Sequence, residues 1–218
     1  MVADGKLTPL AAFRATPCAG IPLRWIGKQC SEHKKVHKMR YANANTSTGS
    51  RCKLLLISGS LRAGSVSGAA LEAARALLPA GAIAAVSARS DDLPHYSPDR
   101  DRDPLPEAVA DLRAQLASAE AVLFSTPEYA GSLPGSFKNL LDWTVGGGLY
   151  GKPVGWINAS AADGGAHGAY QALRAALGFT GSDIVESACV RVPVLRTCID
   201  ADGVIHDPKI RDALSVRL

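Results

Sequence analysis

The chain has 218 residues, 47% of them hydrophobic, enough to bury a full core, and no apolar run approaches the roughly 20 residues of a membrane span. A helical integral membrane protein is thereby excluded. The formal net charge of +4 is unevenly spread: residues 1–50 carry eight Lys/Arg against Asp4 and Glu32, which leaves the remainder at −2, so the charge gives no reason to expect nucleic acid as a partner of the folded part.

Residues 1–50 form a basic N-terminal extension without sustained hydrophobic period, closing on the polar run Asn43-Ala44-Asn45-Thr46-Ser47-Thr48-Gly49-Ser50, which suits a linker. The segment reads as a disordered tail, as translation begun upstream of a true start at Met39, or as an arm for a partner. It lacks the apolar core of a signal peptide. Cys18, Cys30, His33 and His37 lack the close cysteine pair of a zinc finger, so no metal is expected there. The folded domain is expected over 51–218.

Leu54-Leu55-Leu56-Ile57 is an apolar strand that runs into Ser58-Gly59-Ser60-Leu61-Arg62-Ala63-Gly64-Ser65. Glycines permit tight turns, serine hydroxyls donate hydrogen bonds, and the arginine supplies a permanently charged fork suited to a phosphate. A helix follows, with Val66, Ala70, Ala73 and Leu77 on one face, so its first amides can point at an anion. An ordinary polar strand-to-helix loop is the plain alternative. The gap from Gly59 to Gly64 is that of a nucleotide P-loop, but Ser65 stands where the phosphate-binding lysine belongs, so NTP hydrolysis is not expected.

Ala82 to Val86 reads as a second strand, followed by a polar loop from Ser90 to Asp103 whose Arg100 and Arg102 read as a solvated cluster. Pro106 is expected to open a helix as its first residue, burying Val109, Leu112 and Leu116. A third strand, Ala121 to Thr126, ends in Pro127-Glu128-Tyr129-Ala130-Gly131-Ser132-Leu133-Pro134-Gly135.

The pair GSLRAGSVSG (59–68) and TPEYAGSLPGSFKNLLDW (126–143) resembles the flavodoxin-like NADPH-dependent FMN reductases, a family that includes quinone, azo-dye and chromate reductases. The likeness covers roughly residues 52–195. It implies FMN as cofactor and NADPH, or NADH, as reductant. It also implies phosphate contacts from Ser60, Arg62 and Ser65, with Val66 and Ser67 at the helix start, and ring contacts from Pro127, Glu128 and Tyr129. Ser67 stands where many relatives have asparagine and has the shorter reach. The loop after the fourth strand would border the pyrimidine end, where amides at Gly164 and Gly165 stabilise negative charge. Homodimers or homotetramers are implied as well.

Ser136 is expected to cap a helix with Phe137, Leu140, Leu141 and Thr144 at helical spacing. Gly146-Gly147-Gly148-Leu149-Tyr150-Gly151 matches G-x-G-x-x-G literally, but it follows a helix and precedes a strand, the reverse of a dinucleotide site. A fourth strand spans Val154 to Asn158. Gly164-Gly165 leads into a helix with Ala166, Tyr170, Leu173 and Leu177 on one face and Gly178 as its stop. A fifth strand follows around Ile184 to Val192, then a turn at Asp200-Ala201-Asp202-Gly203 and a short helix from Asp207-Pro208.

Strands alternating with helices require parallel crossovers and a doubly wound α/β sheet. The resemblance gives five strands in the order 2-1-3-4-5, and in such sheets ligands sit beyond the carboxyl ends where the winding reverses. Both motif loops emerge there. The reading is an FMN-dependent NAD(P)H oxidoreductase serving a small-molecule electron acceptor, with no catalytic side chain and no metal. A flavodoxin-type electron carrier is the alternative, weakened by Arg62 and by the small net charge. A signalling receiver domain would need acids where Ser58 and Gly59 stand. Cys52, Cys189 and Cys198 show no redox spacing, and five cysteines at irregular intervals fit a reducing cytoplasm. His167 reads as a solvent-facing residue at a helix start.

Overall fold

Mostly apolar runs of five to seven residues form four of the strands, a nine-residue run carrying Asp183, Glu186 and Arg191 forms the fifth, and runs with helical spacing form the covering layers. The computed structural model describes residues 52–78, 82–86, 91–146 and 148–215. The strands are β1 (Cys52–Ser58), β2 (Ala82–Val86), β3 (Ala121–Ser125), β4 (Pro153–Asn158) and β5 (Asp183–Arg191). They make one parallel sheet in the order β2-β1-β3-β4-β5, as expected. The helices are α1 (Val66–Ala76), α2 (Glu107–Ser118), α3 (Gly135–Asp142), α4 (His167–Phe179) and α5 (Pro208–Ser215). The expectations placed on residues 1–50 lie outside the described residues.

Successive strand residues face opposite sides, so a sheet covered on both faces needs apolar residues at consecutive positions. Leu55, Ile57, Val122, Phe124, Val154 and Trp156 join the core under α2, α3 and α4. Leu56, Leu123 and Ile157 join the other core, under α1 and α5.

Several helix boundaries differ from the sequence expectation. Pro106 is the cap of α2 rather than its first residue, with ψ of 139°, an extended value that its own ring allows. Ser136 lies inside α3, which Pro134 precedes without any side-chain cap. Gly178 lies within α4, and the left-handed position beyond the helix falls to Gly181, at φ +68°. The buried face of α1 is broader than the four expected residues: Ser67, Ala69, Ala70, Leu71, Ala73 and Ala74 are buried, while Val66 and Leu77 are half-buried.

The polar loop before α2 is tied down more than its composition suggests. Trp143 Nε1 and Asn139 Nδ2 both donate to the Pro94 carbonyl, at 2.8 and 3.0 Å, and Tyr96 meets the Trp143 ring edge-on at 5.0 Å. Within it Arg102 pairs with Asp99 at 3.5 Å. On the far side of the sheet, β5 places four residues between Ile184 and Cys189 where β4 places only Gly155 between Val154 and Trp156. This bulge brings Ala188 against Gly155, where a Cβ would lie 2.7 Å from it.

Candidate functional site

Two loops leave the carboxyl ends of the adjacent strands β1 and β3, and Gly59 sets how closely they approach. Its amide donates to the Ser125 carbonyl at 2.8 Å. A Cβ at this position would lie 2.2 Å from Thr126 Oγ1 and 2.9 Å from Phe137 Cδ1, so only glycine fits.

The first loop is held by its own serines. Ser60 Nα donates to Ser58 Oγ at 3.2 Å, and Arg62 Nα donates to Ser60 Oγ at 3.3 Å. Ser65 caps α1, its Oγ accepting from the Gly68 amide at 3.0 Å while its carbonyl accepts from Ala69 at 2.9 Å. The first-turn amides of Val66 and Ser67 have no intrahelical partner and none among the other described residues. Ser67 is only 5% exposed, and its hydroxyl bonds to no described residue. The Arg62 side chain is exposed and pairs with no carboxylate among the described residues.

Ser60, Arg62 and Ser65 line one groove of about 300 Å³, together with Gly64 and Gly68. Its other wall comes from Asp202 and Gly203, far along the chain. A further long-range contact closes the loop: the Arg196 guanidinium donates to the Gly64 carbonyl, and Gly64 is left-handed at φ +59°.

The second loop is bound to α4. After the half-buried Pro127, Tyr129 and Ser132 exchange both backbone hydrogen bonds at 3.0 Å across Ala130 and Gly131, at φ +50° and +72°, a two-residue turn with both central residues left-handed. Tyr129 is 55% exposed. The Glu128 carboxylate accepts from the Ala169 amide at 2.9 Å. It therefore caps α4 from another loop, where the helix's own Ncap, left-handed Ala166 at φ +53°, offers no side-chain oxygen. Gly168 lets the two segments touch, since a Cβ there would meet the Gly131 carbonyl oxygen at 2.1 Å.

Behind these loops lies a buried polar layer. The Tyr170 hydroxyl donates to the Ile157 carbonyl at 2.7 Å and accepts from the Thr126 amide at 3.2 Å, tying the ends of β3 and β4 together. Burial pushes its pKa up to about 12. Asn158 Nδ2 donates to the Gly165 carbonyl, and Asn158 Oδ1 accepts from the Ser160 amide at 3.1 Å. The Gly165 amide donates to Ala162 O at 2.8 Å, so it serves the 162–165 turn; Gly164 is exposed, and Arg191 fills the space beside Gly165.

The expected residues thus fall into two adjoining clusters: Ser60, Arg62, Ser65, Val66 and Ser67 on the β1 loop and α1, and Pro127, Glu128, Tyr129, Gly164 and Gly165 on the β3 and β4 loops. Sequence reading missed Arg196, Asp202 and Asn158, and it gave Tyr170 only a packing role. An asparagine ending a strand was the one available signal. Cys52, Cys189 and Cys198 are free thiols, and His167 is exposed at the first position of α4.

Comparison with known proteins gives the family and the fold. Residues 52–193 match the family model of NADPH-dependent FMN reductases. An NAD(P)H-dependent FMN reductase of Pseudomonas aeruginosa is 36% identical over 169 residues, covering 76% of this chain and 91% of its own. A quinone reductase of Pseudomonas putida is 33% identical over 144 residues, covering 63% and 73%. Among solved structures, the NAD(P)H:acceptor flavoenzyme FerB of Paracoccus denitrificans superposes with a TM-score of 0.64 at 26% identity, covering 76% of this chain and 98% of FerB.

Proposed function

The chain belongs to the NADPH-dependent FMN reductase family, and we propose that it reduces a small quinone-like acceptor in the crevice between the 59–67 and 127–132 loops. It is an FMN-dependent NAD(P)H oxidoreductase. The observation that carries the placement is the contact of Gly59 with Thr126, which sets an open anion-accepting loop directly beside the Pro127-Glu128-Tyr129 loop. Residues 51–218 make up the reductase domain in this reading, with 1–50 as an extension.

The residues present fit FMN. Open amides at Val66 and Ser67, the unpaired Ser67 hydroxyl and the free Arg62 fork suit a phosphate dianion. The hydroxyls of Ser60 and Ser65 accept from backbone amides and keep their protons to donate to it. Pro127 and Tyr129 flank the ring, and Glu128 holds their loop against α4 instead of touching the ring with its carboxylate. Gly164 and Gly165 border the pyrimidine end, where the Gly168 amide, which bonds to none of the described residues, takes the part first given to Gly165.

FMN, when bound, supplies the redox centre that takes hydride from the nicotinamide and hands electrons to the acceptor. The chain's own part is to bind, orient and exclude water, and no side chain acts as nucleophile or general base. A flat acceptor stacks where the nicotinamide has left. A homodimer or homotetramer in the cytoplasm completes the reading, supported by the free thiols and by the exposed Leu61 and Tyr129, which a second subunit would cover. The flavodoxin-type carrier has no counterpart among the relatives named above, all of them reductases.

The test is oxidation of NADPH and of NADH by the purified chain with FMN and a benzoquinone acceptor. Turnover that requires both FMN and acceptor is expected. A protein that binds FMN yet oxidises neither nucleotide would overturn the reading.

A further inference from the structure

We infer that Arg196 is a second phosphate-reading arginine of the flavin site, delivered from the chain after β5; the inference rests on the reading that the 59–67 loop holds the FMN phosphate. The segment that carries it is fixed. Val192 and Val194 donate their amides to Asn158 O and Ala159 O, at 2.9 and 3.0 Å, extending the parallel register past β5, and the Val194 side chain is buried. A short 3₁₀ turn, Arg196–Cys198, then sets Arg196 beside the loop between β1 and α1, 132 residues away in sequence.

Its guanidinium spends one N–H on the Gly64 carbonyl, and its terminal nitrogens stand 3.7 and 3.9 Å from where a Gly64 Cβ would be. That bond draws a carbonyl dipole away from an anion in the loop and places a permanent positive charge at the loop's edge. Four further N–H donors remain, and no carboxylate among the described residues pairs with Arg196. The carboxylates that face the same groove are Asp202 and Glu72, and Glu72 is held by Arg75 at 2.6 Å. Arg62 lines the groove and Arg196 touches the same loop at Gly64, and neither guanidinium has an ion-pair partner among the described residues. A phosphate dianion is the ligand chemistry that uses both.

The phosphate is the whole difference between FMN and riboflavin, so the two flavins separate phosphate reading from scaffolding. Full-length Arg196→Gln, Arg196→Lys and Arg62→Gln are titrated with each flavin by fluorescence. Arg196→Gln is expected to weaken FMN about tenfold or more while riboflavin affinity stays within about twofold. Arg196→Lys gives a smaller loss, because one ammonium keeps the charge but cannot span the Gly64 carbonyl and the phosphate as a fork does. Equal losses for FMN and riboflavin would make Arg196 a scaffold and overturn the inference. So would unchanged FMN binding in Arg196→Gln while Arg62→Gln loses it. If neither arginine separates FMN from riboflavin, the phosphate-loop reading fails together with the inference.

Discussion

The two loops that form the site are built in opposite ways. The β1 loop is held within itself by serine bonds and leaves two amides, a serine hydroxyl and an arginine without partners among the described residues, whereas the β3 loop is held chiefly by long-range bonds to α4, from Glu128 to Ala169 and from Thr126 to Tyr170. The first is arranged to gain affinity from a charged ligand and the second to hold a surface still. Substitutions should therefore separate cleanly: on the first loop, affinity falls while stability stays; on the second, stability falls first.

The strongest way to break this comparison is at Gly59, where the first loop meets the start of the second. Gly59→Ala forces a Cβ to within 2.2 Å of Thr126 Oγ1, and Thr126 is itself buried. A loss of about 3 kcal/mol is expected in urea unfolding, with flavin binding lost in parallel. Unchanged stability would mean that the contact relaxes freely.

Arg62→Ala comes next and should cost affinity alone. FMN binding is expected to weaken about 10- to 100-fold, because a charge-assisted hydrogen bond contributes about 1.5–3 kcal/mol, with no change in Tm. A fall in Tm without ligand would blur the distinction between the loops.

Tyr170→Phe tests the other side and should cost stability, by about 1–2 kcal/mol at neutral pH, since the Ile157 carbonyl and Thr126 amide lose a buried partner. A pH signature goes with it. The folded pKa of Tyr170, pushed up to about 12 by burial, lies above the value near 10 of the unfolded chain, so its contribution is complete below pH 10 and is lost as pH rises towards 12. The stability gap between wild type and Tyr170→Phe should narrow over that interval. A constant gap would show that the hydroxyl is not the source.

How much of this was legible in sequence follows from the range of the bonds. Strands β1, β3 and β4 announce themselves as apolar runs, and the serine-arginine loop announces its chemistry, because those features are local. Glu128 was legible as a candidate site residue but not as a cap, since its partner amide, Ala169, lies 41 residues on and carries no side-chain signal. Arg196 was invisible for the same reason. Pro106 and Ser136 misled because cap preferences describe a helix in isolation, while here the chain enters α2 and α3 from an extended proline.

Glu128→Ala should cost about 1 kcal/mol, the ordinary cost of losing a helix cap, and Glu128→Gln less, because the amide oxygen still accepts from Ala169. Thermal unfolding of the two variants side by side reads the order. Equal losses for Gln and Ala would mean that the carboxylate's charge, rather than the hydrogen bond, holds the loop.

The smallest effect is expected outside both loops, at the thiols and at His167. If the chain's part in the reaction is only to bind and orient, no thiolate is needed. The structure gives Cys189 none: burial and the nearby Glu186 push its pKa to about 11, so it stays protonated at neutral pH and is a poor nucleophile. Burial likewise raises Cys52. Replacing Cys52, Cys189, Cys198 or His167 singly should leave turnover with NADPH and a quinone within about tenfold, well short of the ~10²–10⁴-fold contribution of a positioned acid or base. The decisive measurement is anaerobic stopped-flow reduction of FMN-loaded protein. A variant that binds FMN with wild-type affinity and yet is no longer reduced by NADPH would place the chemistry on that side chain, and the division of labour between an affinity loop and a geometry loop would need a third, catalytic element.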